Sequence, residues 1–115
     1  MKRGDIFWAD LTPRSGSEQT GRRLVLIVSH DGFNTLVTWR SLLVVPLSTS
    51  ASQANRGPTV VEVPNGIGGL SRTGYAICHQ VTTLDRAKLA RRIGSLPAGV
   101  LKSVEEALKA ALDLD

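Results

Sequence analysis

The chain is short of the residues from which many enzyme sites are built. It has one cysteine, Cys78, and only two histidines, His30 and His79, which lie in separate segments. A lone cysteine excludes an intramolecular disulfide, and no His/Cys/Asp/Glu set has metal-ligand spacing, so neither a metal nor a cofactor is expected. No glycine-rich loop opens a helix as a nucleotide-binding fingerprint does, and no Gly-x-Ser-x-Gly elbow occurs. Hydride transfer, nucleotide hydrolysis and zinc chemistry all lose support. No apolar run approaches the roughly 20 residues that span a bilayer. The start, Met1-Lys2-Arg3-Gly4-Asp5, lacks the apolar stretch of a signal peptide. The expected setting is a reducing cytoplasm, with no membrane partner.

Acidic residues are also scarce, 10 against 14 Lys and Arg, and their placement is uneven. Residues 1–96 hold 12 basic and 6 acidic residues, a net +6, whereas residues 97–115 hold 2 and 4, a net −2. Ten of the 14 basic residues are arginine, whose planar fork suits phosphate. A basic body with an acidic tail favours an anionic partner on one face, with nucleic acid first among candidates.

At 115 residues the chain is expected to form one domain, 1–115, with a single core. Residues 5–11, 24–28, 39–47, 59–63, 75–84 and 90–96 read as strands, from their branched and aromatic content and the polar breaks between them. Pro46 belongs at an edge or a strand exit. The tail is the one clear helix: Pro97 suits its first turn, and Val100, Leu101, Val104, Leu108, Ala111 and Leu112 form one apolar stripe. The expected class is α+β, with five to seven short, mostly antiparallel strands curled into a small sheet or barrel against a C-terminal helix.

The most informative segment is Gly16-Ser17-Glu18-Gln19-Thr20-Gly21-Arg22-Arg23, set between two strand-like runs. A turn needs glycine and small polar residues, but it does not need paired arginines where a strand begins. The second such feature is Ser48-Thr49-Ser50, just after Val44-Val45-Pro46-Leu47. If the two strands are neighbours, these features share an edge of the sheet. An arginine beside a hydroxyl has what metal-free phosphoryl transfer needs, a fixed cation for developing charge and a donor to a phosphate oxygen. RNA brings its own nucleophile, the 2′-hydroxyl. The plainer readings are a solvated arginine paired with Glu18 and a Ser/Thr turn.

At these residues the chain resembles the MazF/PemK family of toxin endoribonucleases of type II toxin–antitoxin systems. The likeness runs through Arg3-Gly4-Asp5-Ile6, Trp8-Ala9-Asp10-Leu11, the Gly16–Arg23 segment, Val28-Ser29-His30-Asp31 and Phe33-Asn34. It continues through Val44-Val45-Pro46-Leu47-Ser48, Gln80-Val81-Thr82-Thr83-Leu84-Asp85 and Arg92-Ile93-Gly94. The resemblance implies a small SH3-like β-barrel with a C-terminal helix, of the CcdB/MazF kind, usually a homodimer. It implies sequence-specific, metal-independent cleavage of single-stranded RNA that leaves a 2′,3′-cyclic phosphate, inhibits translation and is neutralised by a cognate antitoxin. Arg23 and Ser48 match the catalytic positions. Glu18, Gln19, Arg22, Thr49, His79 and Gln80 are the expected RNA contacts.

Three positions depart from the family pattern. Leu24 stands where proline is usual, His79 where an acidic residue is usual, and Ser48 where threonine is common. Two alternatives stay open, a CcdB-like gyrase-poisoning toxin and a noncatalytic RNA-binding barrel. Trp8 reads as core or dimer contact, Trp39 as packing or a base-stacking surface, and His30 as a cap or packing residue.

Overall fold

A computed structural model describes residues 1–11 and 21–115. Seven strands, β1 Asp5–Leu11, β2 Gly21–Ile27, β3 Ser41–Ser48, β4 Val60–Val63, β5 Gly74–Ile77, β6 Thr82–Asp85 and β7 Leu89–Ser95, are joined with two helices, α1 Asp31–Asn34 and α2 Ala98–Leu112. The strands form one antiparallel sheet in the order β4-β5-β3-β2-β1-β7, with β6 also paired to β3.

The α+β class stands, but the barrel does not close: β4 and β7 end the path and do not pair with each other. Instead the turn Ile67–Gly69, in the β4–β5 connection, lies against β7. A Cβ at Gly69 would overlap the Ile93 carbonyl, and one at Gly94 would overlap the Gly68 carbonyl. Gly69 also has φ +83°, a conformation that an L side chain resists. Backbone approaches backbone there, and a ladder is replaced by a seam.

Two expected boundaries move. Residues 75–84 are not one strand, because a tight turn at Cys78–Gln80 divides β5 from β6. This turn also explains Pro46, which sits inside β3 opposite Val25 rather than at an edge. On its other side β3 pairs with β5 at Leu47↔Ala76 and with β6 at Val44↔Thr82. Pro46 falls in the gap between them, where the missing N–H interrupts no ladder bond.

Alternation along the strands gives the sheet two apolar faces. On one, Ile6, Leu26, Val45, Leu47 and Ala76 pack with Val104 and Ala107 of α2, and Val100, Leu101 and Leu108 flank them. The expected helix stripe is therefore spent on the sheet, except that Leu112 is 56% exposed. The other face carries Ala9, Val25, Ile27, Leu42 and Val44, bordered by Phe7, Leu11, Leu84 and Leu89. Among the described residues no helix is long and apolar enough to cross a membrane.

Candidate nucleic-acid site

The β2–β3 register brings the two features together. Leu24 pairs with Leu47 and Val25 with Pro46, so one further step places Arg23 opposite Ser48. Strand alternation sets both on the face of Val25 and Val44, away from α2. Arg23 lies between Ala9 on β1 and the end of β3. It is half-buried and, among the described residues, has no ion-pair partner. Burial moves its pKa below the ordinary arginine value, because the charged form is partly desolvated.

Ser48 is half-buried. Its Oγ accepts the Ser50 N–H at 3.1 Å, which fixes the hydroxyl and leaves its proton free to donate. Ser50 turns away: its Oγ accepts from Ser52 N–H and lies 2.7 Å from Ser52 Oγ. Thr49 is exposed beside them. Thus one cation and one O–H donor sit at adjoining ends of two central strands.

The other expected contacts are more scattered. Arg22 goes to the opposite face, where its Nε lies 3.5 Å from Asp10 Oδ1. Both side chains are exposed, so this pair adds little stability. His79 and Gln80 are exposed in the turn beside the middle of β3, roughly 10 Å along the strand from Ser48 at the usual rise per residue. His79 Nδ1 is 2.8 Å from Thr59 Oγ1. Glu18 and Gln19 fall outside the described residues, as does most of the glycine-rich segment. Leu24, in the position usual for proline, is half-buried and pairs with both Trp8 and Leu47.

His30 is a cap: its Nδ1 accepts the Gly32 N–H at 2.8 Å at the start of α1. Trp39 stacks on Phe33 with ring centroids 4.6 Å apart and donates its indole N–H to Ser41 O. Arg86, which drew no notice in the sequence, holds this loop. Its guanidinium donates to the carbonyls of Trp39, Phe33 and Leu36 at 2.8, 3.0 and 3.1 Å. No local pattern announces such contacts across about 50 residues. Among the described residues, no three His, Cys, Asp or Glu side chains come together as a metal site.

The fold agrees with what the comparisons find. Residues 2–112 match the family of PemK-like, MazF-like toxins of type II toxin–antitoxin systems. The chain belongs to this family. Endoribonuclease EndoA of Bacillus subtilis (strain 168) is 34% identical over 99% of this chain and 96% of its own length. A mycobacterial endoribonuclease solved in complex with its cognate antitoxin is similar at TM-score 0.80 and 26% identity, covering 100% of this chain and 97% of that one. A MazE–MazF crystal structure from Deinococcus radiodurans has TM-score 0.76 and 27% identity, covering 100% and 97%.

Proposed function

We propose that this chain is a metal-independent endoribonuclease toxin that cleaves single-stranded RNA, with Arg23 and Ser48 as its catalytic pair. The observation that carries the reading is the β2–β3 pairing at Leu24 and Leu47, the residues next to Arg23 and Ser48, in a family whose members include curated endoribonucleases.

The reaction follows from the chemistry of RNA. The 2′-hydroxyl oxygen bonds to the adjacent phosphorus and loses its proton to solvent. The bond from phosphorus to the 5′ oxygen breaks, and that oxygen takes up a proton. The products are a 2′,3′-cyclic phosphate and a free 5′-hydroxyl. Arg23 offsets the extra charge on the phosphorus oxygens in a partly desolvated setting, where charge stabilisation is strongest. Arg23 is also the group assigned to protonate the leaving oxygen. Ser48 donates its O–H to a non-bridging oxygen. Thr49, His79, Gln80, Glu18 and Gln19 are assigned to substrate contact, whereas Arg22, expected among them, faces away from Arg23 and Ser48 and pairs with Asp10.

The reading takes residues 1–115 as one toxin domain, acting in the cytoplasm as a homodimer. Its partners are single-stranded RNA, cleaved to inhibit translation, and a cognate antitoxin, as in the solved relatives. The test is digestion of a long transcript by purified protein in excess chelator, with the new ends mapped. Site-selective cuts with cyclic phosphate ends are expected, and Arg23→Ala or Ser48→Ala abolishes them. Cleavage that needs added metal, or that survives both substitutions, overturns the assignment.

A further inference from the structure

One row of side chains crosses four strands on the face that Arg23 and Ser48 share. Leu47 of β3 pairs with Leu24 on one side and with Ala76 on the other, and Ala76 pairs with Val61. All four belong to the core under α2 or pack against it. One step along, alternation turns the next row to the opposite face. Ser48 pairs there with Tyr75 of β5, and Tyr75 with Glu62 of β4, so the row reads Arg23, Ser48, Tyr75, Glu62. Tyr75 is only 9% exposed, yet among the described residues its hydroxyl has no hydrogen-bond partner. Nor, among them, is any side-chain oxygen or nitrogen both sealed from solvent and unpaired. The ring is therefore walled in while the phenol oxygen opens to the surface. Glu62 is exposed and, among the described residues, has no ion-pair partner.

We propose that Tyr75 and Glu62 form a base-reading subsite that selects guanine at a nucleotide beside the cut. The inference deepens the nuclease reading above and rests on it. At the usual strand spacing Tyr75 and Glu62 stand roughly 5 and 10 Å across the sheet from Ser48, within the span from a phosphate to the edge of its own base. A phosphate held at Arg23 and Ser48 thus delivers an adjoining base to them. A carboxylate only accepts hydrogen bonds and repels phosphate, so Glu62 faces a base rather than the backbone. Guanine presents O6, N1–H and N2–H side by side on its pairing edge, one acceptor followed by two donors. The Tyr75 hydroxyl donates to O6, and the two Glu62 oxygens accept from N1–H and N2–H. Uracil offers one donor between two carbonyls. Adenine and cytosine each set an acceptor nitrogen beside their amino group, where a carboxylate oxygen meets a lone pair. Bases unstacked from single-stranded RNA are read on this edge, and two-point contacts of this kind discriminate sharply. Tyr75 and Glu62 are specificity residues, with no role assigned at the reacting phosphorus.

The experiment uses the purified chain in two assays. In the first, a random-sequence RNA pool is digested in chelator and the cut ends are sequenced. Guanine is expected to be enriched at least tenfold at one position flanking the cut. Glu62→Gln, which sets a donor beside an acceptor, should lower that enrichment at least tenfold and raise adenine or cytosine there. Tyr75→Phe, which keeps the ring, should lower it at least threefold. Cuts at other sequences continue in both variants, which reports that they fold. In the second assay, the 3′- and 5′-monophosphates of the four nucleosides are titrated against the Tyr75 ring signals by NMR. A guanosine monophosphate should bind at least tenfold more tightly than the others, and Glu62→Gln should remove the difference. Cleavage without guanine enrichment, enrichment that either variant keeps, or equal binding of the four bases overturns the proposal. So does the absence of any shift at millimolar nucleotide. Guanosine-selective binding by a chain that cleaves no RNA would instead sink the nuclease reading and leave the base site standing.

Discussion

Leu24 on β2 stands opposite Leu47 on β3, and one further step along the two strands places Arg23 opposite Ser48. If both act on one phosphate, their removal is not additive. Arg23→Ala and Ser48→Ala are each expected to lower kcat about 100- to 1000-fold. The double variant should be little worse than the slower single one. Single-turnover cleavage of a defined RNA measures the cycle, and strict multiplication of the two losses would argue for independent roles. Ser48→Thr keeps the hydroxyl and should retain most activity.

Arg86 spans the loop from Phe33 to Trp39 through three carbonyls. Truncation to alanine leaves them to water and releases the Phe33–Trp39 stack. The expected loss is about 2 kcal/mol, read by urea unfolding. A red shift of Trp39 emission in the native state should accompany it, with Trp8 replaced by phenylalanine so that one fluorophore reports.

Gly69→Ala combines a left-handed backbone position with overlap on the Ile93 carbonyl. Together these cost on the order of 3 kcal/mol. A lowered Tm is the readout. Gly57, with positive φ but open space around it, is the control: alanine there should cost only the backbone strain.

Cys78 is fully buried, and burial pushes its thiol up to about 11 from an ordinary 9.0. The folded protein therefore keeps a proton that the unfolded chain releases. Its contribution is intact below pH 9 and is lost as pH rises from 9 toward 11. Denaturation midpoints over that range should fall more steeply in the parent than in Cys78→Val. Alkylation of the native protein at pH 8 should be slow and limited by unfolding.

Much of the fold was legible because it rests on local patterns. Val25 to Val28, Leu42 to Val45 and the stripe from Val100 to Leu108 declare two central strands and a helix by apolar periodicity alone. The break at Cys78–Gln80 was not legible, since Tyr75 to Leu84 is apolar enough to continue as one strand. Only the pairing of β3 with two successive partners divides it. Pro46 misled for the same reason: whether proline is tolerated depends on the neighbour across the sheet. At the site, the Arg23–Ser48 pairing was legible as a condition, that the two strands adjoin, which the register meets. That Arg22 turns to the far face follows from a strand beginning at Gly21 rather than Leu24, a boundary that hairpin pairing with Asp10 and Leu11 sets. The row from Arg23 to Glu62 joins residues from β2, β3, β5 and β4, and no window of sequence contains it.

The glycine seam gives the sheet an opening route of its own. Gly68 and Gly69 meet Ile93 and Gly94 by close approach, while no ladder joins β4 to β7. The sheet can breathe along this line without unzipping a strand. Ile6 and Leu96 lie directly behind Gly68, so solvent admitted there reaches the centre of the main core. Hydrogen exchange at these buried amides should then follow a sub-global opening of lower free energy than complete unfolding.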